Sequence, residues 1–279
     1  MRTIRAATVA FTAMLLPMLQ VAPAWAVTFN KTYVSNTGSN ANNCSTVVQA
    51  CASFATALAS TAPGGEITVV NTGDYGAVNI VQSVNVTNDG AGEASILAAA
   101  STGIIVSAGV GDVVSIRGLV IDGQDSGLEG ISIGQISAVH IQNCVIRNFQ
   151  ASGSGVGIGF FPTGNSQLFM SDAIIFNNGT AGTTGGIRIE PEVTGSATVV
   201  LHRVHLENNV VGLFVNGTLS TGNGAHVIIR DSVVSGNAGD GILAMSAPGQ
   251  ATAFLVVERT SSVNNGGTGI HAEIGRAHV

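Results

Sequence analysis

The sequence predicts an all-β protein in which coils of about 25–31 residues stack into a solenoid. Three observations support this fold: six stretches share one pattern, a Gly-aliphatic pair follows each of them, and apolar residues alternate with a period of two. The steps between successive stretches are 25, 29, 31, 28 and 28 residues. The stretches begin at Ile116, Ile141, Met170, Leu201, Ile229 and Val257.

Short strands and polar bends alternate inside each unit. In the segment after Gly186, Ile187 and Ile189 point to one side of a strand and Arg188 points to the other. Two slots in the repeat favour Asn and Asp, which are typical of bends. The first slot holds Asn143, Asp172 and Asp231, and the second holds Asn148, Asn177, Asn208 and Asn264. A single unit cannot bury its inner face, whereas stacking at about 4.8 Å buries a continuous aliphatic column.

The recurring Asn-Asn-x-x-Gly-Ile/Leu units, such as ENNVVGL at 207–213, resemble the repeats of right-handed parallel β-helix proteins of the pectate-lyase-like superfamily. The chain also resembles exported bacterial β-helix repeat proteins, and the resemblance covers roughly residues 65–272. The resemblance implies a single-stranded right-handed parallel β-helix. It also implies that any enzymatic site lies in a groove on the outer face and acts on an acidic polysaccharide. The patterns of leucine-rich repeats and of calcium-binding nonapeptide arrays are absent from the sequence.

The N-terminal residues have the pattern of an export signal. Arg2 and Arg5 precede an apolar stretch, and Ala24-Trp25-Ala26 is a small-x-small cleavage site, so residues 1–26 are predicted to be a signal peptide. The alternative is a membrane anchor, which the short apolar run and Pro17 disfavour. A secreted, periplasmic or cell-surface protein without a transmembrane span is therefore expected.

Residues 27–65 are predicted to form an N-terminal cap on the β-helix at 66–272. A short capping helix is expected, because Val47, Cys51, Phe54 and Leu58 have helical spacing. Thr46 and Gln49 have the spacing of a capping box, and the Pro-Gly-Gly at 63–65 would end the helix.

Cysteine usage and charge narrow the classes of function. Cys44 and Cys51 flank six residues in an exported chain and are predicted to form a disulfide, whereas Cys144 is expected to be a buried free thiol. Lys31 is the only lysine, and the formal net charge is −6, which argues against nucleic acid as a partner.

A candidate catalytic group lies where loops are lengthened in successive coils. These six residues, expected to stand near one another, are Arg188, Glu190, Glu192, His202, Arg203 and His205. Paired carboxylates could supply the acid and base of a hydrolase, and an imidazole or guanidinium could assist. However, the polygalacturonase signatures are absent, and the column that contains His202 mixes residue types as solvent-facing positions do. Ordinary surface is therefore the competing interpretation.

No cofactor is predicted, with one weak alternative. Asp122, Asp125 and Glu129 could form a Ca²⁺ cluster, although a solvated polar bend between two strands explains the same residues.

The sequence favours an exported, non-catalytic β-helix scaffold for surface adhesion or polysaccharide contact. The alternative is a polysaccharide lyase, epimerase or hydrolase that acts on an acidic glycan. Residues 273–279 match the translation of a sequencing adapter, so they are expected to be an artefact that follows a truncated β-helix.

Overall fold

The computed structural model of the protein describes residues 28–274, without the side chain of residue 274. The predicted signal peptide and residues 275–279 lie outside the described residues. Within this range the chain forms one short helix, α1 (Phe54–Ser60), and 25 strands.

The strands are numbered in chain order. Those of the N-terminal half are β1 (Phe29–Val34), β2 (Thr61–Val69), β3 (Gly73–Asp74), β4 (Val78–Ile80), β5 (Val84–Thr87), β6 (Ala94–Leu97), β7 (Ile104–Val106), β8 (Val113–Arg117), β9 (Leu119–Asp122), β10 (Glu129–Ile133), β11 (Ala138–Gln142), β12 (Val145–Arg147) and β13 (Val156–Phe160). Those of the C-terminal half are β14 (Asn165–Ser171), β15 (Ile174–Phe176), β16 (Gly185–Ile189), β17 (Ser196–His202), β18 (His205–Glu207), β19 (Val211–Asn216), β20 (Gly224–Arg230), β21 (Val233–Ser235), β22 (Ile242–Ser246), β23 (Ala253–Glu258), β24 (Ser261–Val263) and β25 (Ile270–Ile274).

These strands form three parallel sheets, as the predicted fold class requires. The first sheet has the order β1-β2-β5-β8-β11-β14-β17-β20-β23, and the second has the order β3-β6-β9-β12-β15-β18-β21-β24. The third has the order β4-β7-β10-β13-β16-β19-β22-β25. From β2 onward the chain visits the first, second and third sheets in turn, so each circuit is one coil. We call the bend from the first to the second sheet the first corner, and the bend from the second to the third sheet the second corner.

The strand register confirms the predicted repeat. The six anchor residues, from Ile116 to Val257, pair in one continuous column of the first sheet. The aliphatic residues of the Gly-aliphatic pairs form an equivalent column in the third sheet, and from Ile131 to Ile242 they are at most 1% exposed. Complete burial of such a side chain contributes about 1.5–3 kcal/mol, so these columns are the main source of the fold's stability.

The glycine of each Gly-aliphatic pair is required by close packing at the second corner. A Cβ on Gly186 would lie 2.5 Å from the carbonyl oxygen of Gly212 and 3.1 Å from Nδ2 of Asn209. The same constraint applies to Gly157, because a Cβ there would lie 2.7 Å from the carbonyl oxygen of Gly186. The backbone of one coil therefore occupies the space that a side chain on the previous coil would need.

The predicted capping helix is present, but it begins later than the sequence pattern suggests. Helix α1 starts after Ser53, whose side chain caps the Thr56 N–H, and the Pro-Gly-Gly at 63–65 lies inside β2. Thr46 does accept a hydrogen bond from the Gln49 N–H, but the turn that it stabilises is not helical. The predicted start of the helix at Thr46 is therefore wrong.

The disulfide explains this difference. Cys44 and Cys51 are bonded, with their Cα atoms 5.0 Å apart. In a continuous helix, residues seven positions apart are separated by about 10.5 Å along the axis. A disulfide across this span excludes a helix through the same residues, so the bond folds 44–51 into a loop and leaves Val48 exposed.

Within residues 28–274, no helix has both the length and the apolar character needed to cross a membrane.

Candidate functional site

The six residues of the predicted catalytic group fall into two places. Arg188 lies in β16 of the third sheet and Glu190 follows directly, whereas His202 ends β17 of the first sheet. Arg203 occupies the first corner, and His205 starts β18 of the second sheet. The seven residues of β17 separate the two places by about 20 Å. The structure does not assemble them into one site, and a catalytic role stays a prediction for either part.

Arg188 and Glu190 form an ion pair on the outer face of the third sheet. The Glu190 residue is 3% exposed, and its Oε1 accepts a hydrogen bond of 2.7 Å from Nδ2 of Asn216 in the next coil. The Arg188 Nε contacts Oε2 of Glu190 outside hydrogen-bond geometry, so among the described residues it is a buried nitrogen without a hydrogen-bond partner. Glu192, the second carboxylate of the predicted set, is exposed.

A second carboxylate lies on the same face. Burial raises the pKa of Glu129 above its usual value, while a hydrogen bond with Ser132 and the charge of Arg188 act in the opposite direction. Gly159 lies in the coil between that of Glu129 and that of Arg188. A Cβ on Gly159 would be 3.2 Å from Oε1 of Glu129. We call Glu129, Arg188, Glu190 and Asn216 the third-sheet cluster.

The other predicted residues lie at or just after the first corner, where Arg203 forms an ion pair with the previous coil, His202 lies beside a carboxylate of the next coil, and His205 lies beside a carboxylate within β18. Arg203 donates two hydrogen bonds to Asp172, at 2.6 and 2.8 Å. His202 lies 3.4 Å from Asp231, and His205 lies 3.0 Å from Glu207. Exposed pairs of this kind hold neighbouring coils in register and contribute little energy each.

The predicted Ca²⁺ ligands do not fit that ion. The carboxylate of Asp122 accepts hydrogen bonds from Arg147 Nε at 2.8 Å, Asn148 Nδ2 at 3.0 Å and the Gln124 N–H at 2.9 Å. Its oxygens therefore face donors, whereas Ca²⁺ needs a shell of further oxygen ligands. Across residues 28–274, no group of three or more His, Cys, Asp or Glu side chains is placed to hold a metal ion.

One hollow on the outer surface was not predicted from the sequence. It is an open groove of about 780 Å³ on the outer face of the first sheet. Residues from five successive strands of that sheet contribute to it, so the groove crosses the strands and follows the axis of the solenoid. It is lined by Val113, Ser137, Ala138, Asn165, Ser166, Gln167, Ser196, Thr198, Asn223 and His226.

Two imidazole–phenyl pairs lie on the same face as the groove. His140 and Phe169 are stacked, with ring centroids 5.0 Å apart and planes at 13°. His226 and Phe254 lie 5.6 Å apart at 39°. Each pair joins strands that are neighbours in the sheet. The signal in the sequence was the separation: 29 residues in one pair and 28 in the other, which equal the local coil lengths.

The sequence between residues 69 and 253 matches the family model described as a right-handed β-helix region. The chain belongs to the right-handed β-helix family. The predicted family and handedness are thereby confirmed, in agreement with the three parallel sheets.

The fold is also similar to that of a solved protein. The crystal structure of pectate lyase Pel9A superposes with a TM-score of 0.52 and 14% sequence identity, covering 85% of this chain and 80% of that chain. At this identity the likeness shows a shared β-helix fold. No curated protein matches the sequence.

Proposed function

We propose that the protein is an extracellular β-helix scaffold that contacts a polysaccharide through the groove on the first sheet. The observation that carries this proposal is the groove itself, which is open, elongated and lined by hydroxyl, amide and imidazole groups. The fold similarity to a pectate lyase supports a polysaccharide as the class of ligand.

The chemistry of the groove suits a sugar chain. Each sugar hydroxyl both donates and accepts hydrogen bonds, as do the side chains of Gln167, Thr198 and Asn165. The apolar face of a sugar ring packs on a flat aromatic surface, which Phe169 and Phe254 supply beside the groove. A parallel sheet repeats these groups about every 4.8 Å, so the contacts extend along a polymer.

The disulfide supports an extracellular location. Cys44 and Cys51 form a buried disulfide in the cap of the β-helix, and such bonds persist in oxidising compartments.

Binding to polysaccharides tests the proposal. We expect the protein to be retained by at least one polysaccharide in affinity electrophoresis. The double variant Phe169→Ala/Phe254→Ala should weaken that binding by about tenfold or more, because each stacked aromatic contributes on the order of 1 kcal/mol. Phe176→Ala is the matched control, since Phe176 is a partly exposed phenylalanine on the second sheet. Equal loss in the control, or retention by no polysaccharide, would contradict the proposal.

The third-sheet cluster supports a second candidate, a polysaccharide lyase, epimerase or hydrolase. Glu129 and Glu190 lie on one face of the sheet with Arg188, and the burial of Glu129 favours the protonated form that a general acid needs. In this case the wild-type protein should cleave or epimerise an acidic glycan, and Glu190→Gln or Arg188→Ala should abolish turnover while Phe169→Ala leaves it intact. Absence of turnover in the wild type would exclude this candidate.

A further inference from the structure

We infer that the ligand of the first-sheet groove is an uncharged glycan that lies along the axis of the solenoid. This inference rests on the proposed function and specifies the class of polysaccharide. It differs from the expectation of an acidic glycan that the superfamily resemblance carries.

The charges in the groove lead to this choice. Among the described residues that line it there is no Asp, Glu, Lys or Arg. A polyanionic chain would need cations along its whole length, supplied by Arg or Lys side chains or by bound metal ions. The formal net charge of −6 would further repel such a chain at long range.

The basic side chains in the hollow beside the groove already face a carboxylate. His202 and Arg230 line a smaller hollow beside the groove, with His140 and Phe169. His202 lies 3.4 Å from Asp231, and Arg230 is among the charges that lower the pKa of Asp231. An anionic ligand would have to compete with this aspartate. A neutral ligand would leave these contacts undisturbed.

The arrangement of the lining residues sets the direction of the chain. Ala138, Gln167, Thr198, His226 and Phe254 form one continuous column, in which each residue comes from the next strand of the sheet. A second column, one pleat along, contains His140 and Phe169. Phe169 and Phe254 are three strands apart, about 14 Å along the solenoid axis. Thr198 lies on a strand between these two aromatic groups, and Gln167 lies on the same strand as Phe169. Both offer hydrogen bonds to a sugar chain that stacks on the two rings.

The test compares two polymers with the same backbone. Polygalacturonate is anionic, whereas its fully methyl-esterified form has the same sugar units without charge. A neutral β-glucan serves as a third probe. We expect the protein to bind at least one of the uncharged polymers, with a Kd that changes less than about twofold between about 0.05 M and about 1 M NaCl. Polygalacturonate should bind more weakly by about tenfold or more.

Two charge variants sharpen this test. Gln167 is exposed, so Gln167→Lys should fold normally and should improve binding of polygalacturonate in a salt-dependent manner. Gln167→Glu, with nearly the same shape, should weaken binding of polygalacturonate more than it weakens binding of the uncharged polymer.

The outcomes separate the inference from the proposed function. If no polymer binds, both are wrong. If polygalacturonate binds best, its affinity falls with salt, and Phe169→Ala removes it, then the proposed function stands and the inference of an uncharged ligand is overturned. If an uncharged polymer binds and Phe169→Ala does not change its affinity, the groove is not the site, and both are again wrong.

Discussion

The first and second corners of the coil both turn on a residue with positive φ, yet their side chains differ in chemistry and in burial. At the first corner this slot holds Asn143, Asp172, Arg203, Asp231 and Arg259, with φ between 44° and 56°. At the second corner it holds Asn148, Asn177, Asn208 and Asn264, with φ between 53° and 62°. The first corner presents charges to solvent. The second is followed directly by a buried ladder of amides.

The ladder at the second corner consists of Asn178, Asn209, Asn237 and Asn265. The first three are at most 2% exposed. Oδ1 of Asn209 accepts bonds from the backbone N–H of Asn178 at 3.1 Å and from its Nδ2 at 3.0 Å, while Nδ2 of Asn209 donates to the carbonyl of Ile175 at 3.0 Å. Each asparagine thus satisfies backbone groups that water cannot reach.

The pairs at the first corner are stronger in isolation but lie in solvent. Arg203 with Asp172 and Arg259 with Asp231 are two-pronged ion pairs between adjacent coils. Water solvates these charges when a pair breaks, so little is lost. A buried amide has no such substitute, and its loss leaves donors and acceptors unpaired. The environment of the two corners therefore decides which interactions stabilise the stack.

The largest predicted effect follows from removing one member of the ladder. Asn209→Ala should lower the free energy of unfolding by about 3 kcal/mol, because two buried backbone groups lose their partners at about 1–3 kcal/mol each. Urea unfolding followed by circular dichroism measures this change. The matched control is Asn79→Ala, an exposed asparagine of the third sheet, which should stay within about 0.5 kcal/mol of wild type. Similar losses in both variants would mean that the ladder has no special role.

The repeat register could be predicted from the sequence, because it depends on residue type at fixed spacing. The anchors at Ile229 and Val257 and the bends at Asp231 and Asn264 lie where the pattern places them. Burial of the second asparagine in each Asn-Asn pair was not predicted. An asparagine is polar in any environment, and its burial depends on the neighbouring coil. The signal was the Gly three positions after the second asparagine in ENNVVGL, whose missing Cβ makes room for the ladder.

The candidate sites were less predictable than the fold for the same reason. Arg188 and Glu190 are close in sequence and meet in the structure, whereas His202 lies on another sheet. The first-sheet groove depends on residues such as Gln167 and His226, which are two coils apart and share no motif. Such a surface becomes visible only when residues separated by whole coil lengths are placed side by side.

A smaller effect is expected at the first corner, and it should depend on salt and pH. The hydrogen bonds from Arg203 hold the pKa of Asp172 below its usual value of 3.8. The ionised carboxylate therefore stabilises the fold above pH 3.8, and this contribution is lost as pH falls below 3.8 through the lowered pKa. Asp172→Asn should lower the urea midpoint slightly at neutral pH, and the difference should vanish in about 1 M NaCl and at the acidic end.

Asp125→Asn is the control for this variant, because Asp125 is an exposed aspartate with positive φ for which the described residues show no ion pair. Its effect on the urea midpoint should not depend on salt. If Asp172→Asn lowers the free energy of unfolding as much as Asn209→Ala does, and if this loss persists at high salt, then the contrast between the exposed and the buried corner is incorrect.

The smallest effect is expected when the labelling rate of a thiol on the inner side of the first corner is compared between wild type and Asp172→Asn. Cys144 follows Asn143, is 1% exposed, and its Sγ donates to the carbonyl of Gln142 at 3.3 Å. Burial raises the pKa of this thiol to about 11, so roughly one molecule in a thousand carries the reactive thiolate at pH 8. Because the other two cysteines are bonded to each other, Cys144 is the free thiol that a reagent would report.

Native protein at pH 8 should react with iodoacetamide more slowly than urea-unfolded protein by about a thousandfold or more. Asp172→Asn should not accelerate the reaction, since the exposed pairs do not hold the interior closed. Fast labelling of the native protein would show that the first corner opens, and the ion pairs there would then have to be counted among the interactions that keep the coils stacked.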